Sequence, residues 1–177
     1  ESDAYGLIMS ILTGGDVVGC RGCVVDGVSF FKATSYGVLV QNYSNDNTFT
    51  GVEASFNQAG FVFAASASRN TVIGGRARGN TVLAVLATGS TALGNRVSGL
   101  ACSSHDDGVF QAVLGAELLI DGLTITDTSA SAGSSAMIAA DGAGTIIRVS
   151  DVSATTARTG GSNSQPFIGI TNTAKVF

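Results

Sequence analysis

The sequence has little charge, one proline and no tryptophan among its 177 residues. A single proline excludes a proline-rich linker, and no apolar run approaches the roughly 20 residues that a membrane-spanning helix needs. Lysine and arginine number nine against thirteen acidic residues. They are also scattered, so we predict no nucleic-acid partner. The short apolar runs predict no membrane insertion. The chain begins at Glu1 without a basic leader, and we expect it to be a piece of a longer protein.

Apolar residues and glycine dominate instead. Hydrophobic residues make up 45% of the chain and glycines number 24, so the chain can bury a core and disorder is excluded. Short runs of valine, isoleucine, phenylalanine and threonine alternate with polar residues, which is typical of strands. Glycine, asparagine, serine and aspartate mark the corners between these runs. The composition therefore predicts an all-β protein.

The three cysteines are Cys20, Cys23 and Cys102. They cannot all pair, and a chain with this much apolar area does not need a disulfide framework. Cys20 and Cys23 form one C-x-x-C motif without the second pair of ligands that a zinc site requires. We predict that all three are buried, reduced and structural.

A repeat of about 24 residues runs along the chain. It is visible as six tetrads in which an apolar residue is followed at the third position by glycine or aspartate. They are Val25–Val28, Phe49–Val52, Val72–Gly75, Val97–Leu100, Ile120–Leu123 and Val149–Val152. A second set of apolar runs, including 37–40, 60–63 and 84–87, keeps the same spacing. Two features in phase indicate repeated structural units.

A unit of about 24 residues with two or three short strands cannot bury its apolar side alone, whereas stacked units can. The repeat therefore predicts a single domain, residues 1–177, folded as a parallel β-helix of about six to seven coils, right-handed by the crossover rule. Asn47, Asn70 and Asn95 recur at one corner and are expected to form an amide ladder. One position per coil should form an interior column, namely Phe30, Ala54, Ala77, Cys102, Ile125 and Ala154.

The strings Asn47–Val52 and Asn70–Gly75, with Gly37–Val40 before them, resemble coils of the pectate-lyase-like superfamily of right-handed β-helix proteins. The low-charge, Ser/Thr/Gly/Ala-rich style is most similar to bacteriophage tailspikes. This resemblance implies a homotrimer on a virion tail that recognises or cleaves bacterial surface polysaccharide during attachment to the host cell. Such proteins are longer, so the chain would be a distal segment. Residues 164–177 would be a closing strand that pairs with another chain.

One outward face carries charge. Glu53 and Arg76 hold the same position in adjacent coils, about one strand spacing apart, so an ion pair is geometrically natural. Arg78 lies two residues beyond Arg76. One interpretation is a surface salt bridge, which contributes about 0–1 kcal/mol. The other is a sugar-binding groove in which Arg76 and Arg78 bind hydroxyls or carboxylates of an acidic glycan.

The densest polar cluster is Ser103–Gly108. Glycoside hydrolysis uses two carboxylates, about 5 Å apart in retaining enzymes and about 6.5–9.5 Å apart in inverting ones. Asp106 and Asp107 point to opposite faces of an extended segment, so either would pair with Glu53 or Asp127 of another coil. The alternative is a turn, in which an aspartate before glycine caps backbone amides at a corner.

A lyase or epimerase would use other groups. His105, the only histidine, would act as the base, with an arginine stabilising the charge. No carboxylate cluster marks a calcium site, so we predict neither a metal nor a cofactor. The candidate catalytic residues are Glu53, His105, Asp106 and Asp107, and the candidate substrate-binding residues are Arg76, Arg78 and Asp127.

Three classes of function remain open on the sequence. The first is recognition of a bacterial surface polysaccharide by a tailspike-like segment, on a virion tail or otherwise extracellular. The second is an enzyme, a polysaccharide hydrolase, lyase or epimerase of a secreted bacterial protein. The third is a structural stalk or an adhesin segment.

Overall fold

The computed structural model describes residues 5–9, 19–105, 108–127, 137–156, 168–171 and 173–177. These ranges contain twenty strands and no helix, which confirms the all-β prediction. It follows that the described ranges contain no helix long and apolar enough to cross a membrane. Most strands have three to six residues, as expected where glycine and other turn formers interrupt short alternating runs.

The strands form three sheets, and successive strands along the chain belong to sheets I, II and III in turn. Sheet I contains, in spatial order, β1 (Tyr5–Met9), β4 (Tyr36–Val40), β7 (Ala59–Ala64), β10 (Leu83–Thr88), β13 (Phe110–Val113), β16 (Ile138–Asp141) and β19 (Ile168–Thr171). Sheet II contains β2 (Val24–Asp26), β5 (Thr48–Thr50), β8 (Thr71–Ile73), β11 (Asn95–Ser98), β14 (Glu117–Asp121), β17 (Ile146–Ser150) and β20 (Lys175–Val176). Sheet III contains β3 (Ser29–Phe31), β6 (Glu53–Ser55), β9 (Arg76–Arg78), β12 (Ala101–Ser103), β15 (Thr124–Asp127) and β18 (Ser153–Thr156).

Every strand pairs in parallel with the strand of the next coil, so the chain is a parallel β-helix, as predicted. The longest uninterrupted described stretch, residues 19–105, closes about four turns. This number is lower than the six to seven predicted for the chain. Strands after residue 108 extend the same three sheets. Within residues 164–177, β19 pairs with β16 and β20 pairs with β17 of the same chain.

The core is a stack of like residues inside the coils. On sheet I, large apolar side chains from five successive coils lie in register and are fully buried, namely Val38, Phe61, Val85, Phe110 and Ile138. Burying each of these contributes about 1.5–3 kcal/mol. Because each coil covers the next, an apolar residue at one position of the repeat is protected from solvent on both sides.

The predicted interior column is buried in its middle and open at its ends. Ala54, Ala77, Cys102 and Ile125 are at most 2% exposed. Phe30 in β3 is only partly buried, and Ala154 in β18 is exposed, contrary to prediction. The reason is that β3 and β18 are the two edge strands of sheet III, so each has a neighbouring described strand on one side only.

The predicted asparagine ladder is present at the corner that leads from sheet I into sheet II. The side-chain amide of Asn47 donates to Oδ1 of Asn70 (2.9 Å), and that of Asn70 donates to Oδ1 of Asn95 (3.1 Å). Both Oδ1 atoms also accept the backbone N–H of the preceding asparagine. The three amide nitrogens further donate to carbonyls of the preceding coil, those of Cys20, Ser44 and Ala67.

A second ladder, which the sequence analysis missed, lies at the corner from sheet III into sheet I. It consists of Asn57, Asn80 and His105, all fully or almost fully buried. Oδ1 of Asn80 accepts the backbone N–H of Asn57 (2.9 Å). A β-carbon at Gly37 would lie 2.7 Å from Nδ2 of Asn57, and one at Gly60 3.0 Å from that of Asn80, so the glycines make room for the ladder. The three side chains donate to carbonyls of the preceding coil, those of Phe30, Ala54 and Ala77.

The cysteine prediction is wrong for two of the three residues. Cys20 and Cys23 form a disulfide across the first described corner, where Cys23 takes the place that Asn47 has in the next coil. The sequence argument assumed a framework of several bridges and overlooked one local pair. Cys102 is a free thiol in the core, as predicted, and burial raises its pKa well above the usual range.

Candidate functional site

The outer face of sheet III brings together three of the predicted site residues. Glu53 of β6 and Arg76 of β9 are direct cross-strand partners, which confirms the predicted register. Arg78 lies on the same face of β9, and both arginines are exposed. The expected ion pair does not form, because no carboxylate oxygen of Glu53 lies within salt-bridge distance of either arginine in this described region.

Glu53 is instead held by its own strand. The hydroxyl of Ser55 donates to Oε1 of Glu53 (3.0 Å) and accepts the backbone N–H of Arg78 (3.2 Å). Ser55 is fully buried, although it lies at the alternate position to Glu53 in the same strand. The hydroxyl thus joins β6 to β9 and fixes one oxygen of the carboxylate beside Arg76.

The other described arginines all have carboxylate partners. Asp46 accepts from both Arg21 (3.1 Å) and Arg69 (2.7 Å), and the hydrogen bond from Arg69 is the main reason why the pKa of Asp46 is lowered. Two further pairs are Arg96–Asp121 (2.8 Å) and Arg148–Glu117 (3.6 Å).

Arg76 and Arg78 therefore differ from every other arginine in the described ranges. They project from one short strand at alternate positions, about 6.6 Å apart along it. Neither forms an ion pair with a described residue, and their exposed guanidinium groups carry ten N–H donors between them. The face is thus locally cationic on a chain whose net charge is −4.

An aromatic residue that the sequence analysis did not single out adjoins the arginines. Phe56 follows β6 and is 45% exposed, with φ at 60°. Its ring lies against Gly79, where a β-carbon would be 2.7 Å from Cε1. The guanidinium carbon of Arg78 lies over the ring, 5.7 Å from its centroid. Phe56 could have been found in the sequence as a large apolar residue at a corner where small or polar residues are expected.

His105 does not lie on this face. It is fully buried, and its Nε2 donates to the carbonyl of Ala77 (3.2 Å). In this position the imidazole performs the role that an asparagine amide has in the two preceding coils. A catalytic role for His105 stays a prediction, and it would require the ring to leave the ladder.

The remaining candidates are Asp106, Asp107 and Asp127. Asp106 and Asp107 lie outside the described residues. The backbone of Asp127 is part of β15 and pairs with Thr156, but its side chain also lies outside the described part. Within the described residues, no group of three or more His, Cys, Asp and Glu residues could hold a metal ion.

The arrangement on sheet III can bind anions and hydroxyl-rich surfaces. Guanidinium groups match carboxylate oxygens in pairs, and a fixed carboxylate accepts from hydroxyls. Comparison of the chain with protein-family models, curated proteins and solved structures finds no match. The structure itself defines the class of protein, which is a parallel β-helix.

Proposed function

We propose that the chain binds bacterial surface polysaccharide on the outer face of sheet III. The observation that carries the proposal is a pair of exposed arginines, Arg76 and Arg78, that form no ion pair with any described residue and lie beside the fixed carboxylate of Glu53. A solenoid offers an extended surface with a repeat of about 4.8 Å between coils, which suits a polymer that contacts several coils at once.

Location and assembly belong to the same proposal. The resemblance of the coils to phage tailspikes supports an extracellular protein on a virion tail and an assembly of three chains. A light-scattering mass equal to one chain would contradict the trimer and leave the binding surface as a separate question.

The binding proposal is tested by substituting the two unpaired arginines. The doubly substituted Arg76→Gln, Arg78→Gln protein is compared with the wild type and with Arg96→Gln, Arg148→Gln, which removes two arginines that have partners. Charge-assisted hydrogen bonds contribute about 1.5–3 kcal/mol each, so affinity should fall at least about tenfold in the first variant only. Titration against a panel of bacterial capsular and lipopolysaccharide glycans gives the affinities. Equal losses in both variants would show that general charge, and not this face, attracts the glycan.

Depolymerase activity is the second candidate, favoured by the carboxylate of Glu53 beside Arg76. It would appear as new reducing ends in a hydrolase, or as an unsaturated product absorbing in the ultraviolet in a lyase. Glu53→Gln should abolish cleavage while preserving binding, because the amide keeps the shape of the side chain and loses its basicity. A chain that neither binds nor cleaves any glycan of the panel would favour the structural-stalk interpretation.

A further inference from the structure

Phe56 places a large aromatic ring at an exposed corner of the coil. Its ring is 45% exposed, and its backbone is in the left-handed region, which a phenylalanine rarely adopts. The equivalent corners of other coils carry Lys32, Gly79 and Ser104, which are small or polar. All three share the left-handed φ of Phe56, so the coil itself sets this backbone conformation, and what distinguishes position 56 is its exposed aromatic side chain.

The ring is held in place by the next coil. Gly79 lies directly beside Cδ1 and Cε1 of Phe56, so that any side chain at position 79 would displace the ring. The backbone N–H of Phe56 donates to the carbonyl of Arg78 (2.8 Å), and the Arg78 guanidinium lies over the ring. The aromatic surface and the unpaired arginine therefore form one continuous patch.

The charge of this patch is positive. Lys32, one coil before Phe56 at the same corner, is exposed and, like Arg76 and Arg78, forms no ion pair within the described ranges. Glu53 is the one carboxylate described beside them, and one of its oxygens already accepts from Ser55. A partner that fits must supply negative charge and a flat surface of C–H groups.

We infer that Phe56 is the stacking platform for a pyranose ring of an anionic polysaccharide, with Arg78 binding the carboxylate of that sugar and Arg76 the next acidic group. This inference rests on the proposed function and adds to it the charge of the glycan and the residue that contacts the sugar ring. The C–H face of a pyranose packs on the part of the aromatic ring that the guanidinium leaves exposed, and the carboxylate of that sugar bonds the same guanidinium.

The test uses a matched pair of probes, a polyuronate and the same polymer with its carboxyl groups reduced to alcohols. The wild type should bind the polyuronate, and reduction should weaken binding at least about tenfold because the arginines lose their charged partner. Phe56→Ala should weaken binding of the polyuronate about tenfold, whereas Phe56→Tyr should retain it because the ring is kept. Leu114→Ala is the control, since Leu114 is also exposed and has φ at 57°.

Melting temperatures separate loss of binding from loss of folding, and Gly79→Ala provides an independent variant that moves the ring without removing it. If the wild type binds the polyuronate and Phe56→Ala binds it equally well, the stacking role is overturned while the proposed function stands. Stronger binding of the reduced polymer would overturn the anionic class. Displacement of the polyuronate by a single-stranded oligonucleotide would overturn the polysaccharide assignment, because bases also stack on aromatic rings beside arginines. If the wild type binds neither probe nor any glycan of the panel, both proposals fail.

Discussion

Both ladders join successive coils through buried side chains that donate to backbone carbonyls, but they lie at different corners of the coil and use different residues. At the corner between sheets I and II, Asn47, Asn70 and Asn95 bond to one another through their side chains as well as to the backbone. At the corner between sheets III and I, Asn57 and Asn80 are joined only through a backbone N–H. The third member there is a histidine.

The bonds to backbone carbonyls are common to both ladders, whereas the bonds between side chains occur in the first ladder only. Each member is a buried polar side chain that donates to a carbonyl of the preceding coil, and a buried donor without such a partner is costly. An imidazole N–H does this as well as an amide does, so the residue type is exchangeable. The side chain-to-side chain bonds of the first ladder are an addition, and they require an asparagine in consecutive coils.

The comparison predicts that the first ladder contributes more stability than the second. Asn70→Ala should lower the free energy of unfolding by about 3 kcal/mol, because it removes the acceptor of two Asn47 donors and the donor to Ser44. Asn80→Ala should cost about 2 kcal/mol, because it removes one acceptor and one donor. Urea unfolding measures both, with Gln58→Ala, at an exposed position, as the control. An Asn80→Ala cost equal to or above that of Asn70→Ala would contradict the ranking.

The exchange of residue types is tested at His105. His105→Asn should change the free energy of unfolding by less than about 1 kcal/mol, because an amide donor again reaches the carbonyl of Ala77. His105→Ala should cost about 1–3 kcal/mol, because a buried hydrogen bond and the packing of the buried ring are lost. If the chain cleaves a glycan, the same two variants also distinguish a structural role of His105 from a catalytic one. Loss of cleavage in a normally stable His105→Asn protein would show that the histidine acts in the reaction rather than in the ladder.

The smallest effect is expected outside the ladders, in the exposed cluster of Arg21, Asp46 and Arg69. The bond from Arg69 lowers the pKa of folded Asp46, so its contribution is present above the ordinary aspartate pKa of about 3.9 and is lost as pH falls through the lower folded value. The stability gap between the wild type and Asp46→Asn should therefore be small at pH 7 and shrink below about pH 4. Melting temperatures across this range measure it. A gap that grows toward acid pH would contradict the assignment.

Much of the fold was readable because a solenoid repeats itself. Asn47, Asn70 and Asn95 recur at the repeat length, and the structure places them one above another. The second ladder was missed because its last member is His105, which does not look like Asn57 and Asn80. The spacing of the two asparagines, 23 residues, was the signal that could have revealed it.

The candidate site was predictable only in part. The register of Glu53 with Arg76 followed from the repeat, since residues at equal positions of adjacent coils become neighbours. Their failure to form an ion pair did not follow, because the burial of Ser55 and its bond to Glu53 depend on side-chain geometry. Phe56 was missed for the same reason, since only the coil stacking places Gly79 and Arg78 against its ring.

The sequence by itself determined the all-β class, the length of the coil, the inward residues of the middle coils and the first ladder. These depend on periodicity, and periodicity is a property of the chain. The tertiary structure alone decided that Cys20 bonds Cys23, that His105 serves as a ladder residue, and that Arg76 and Arg78 have no carboxylate partner among the described residues. Each of these depends on distances between side chains of a few ångströms, which a pattern of residue types along the chain does not contain.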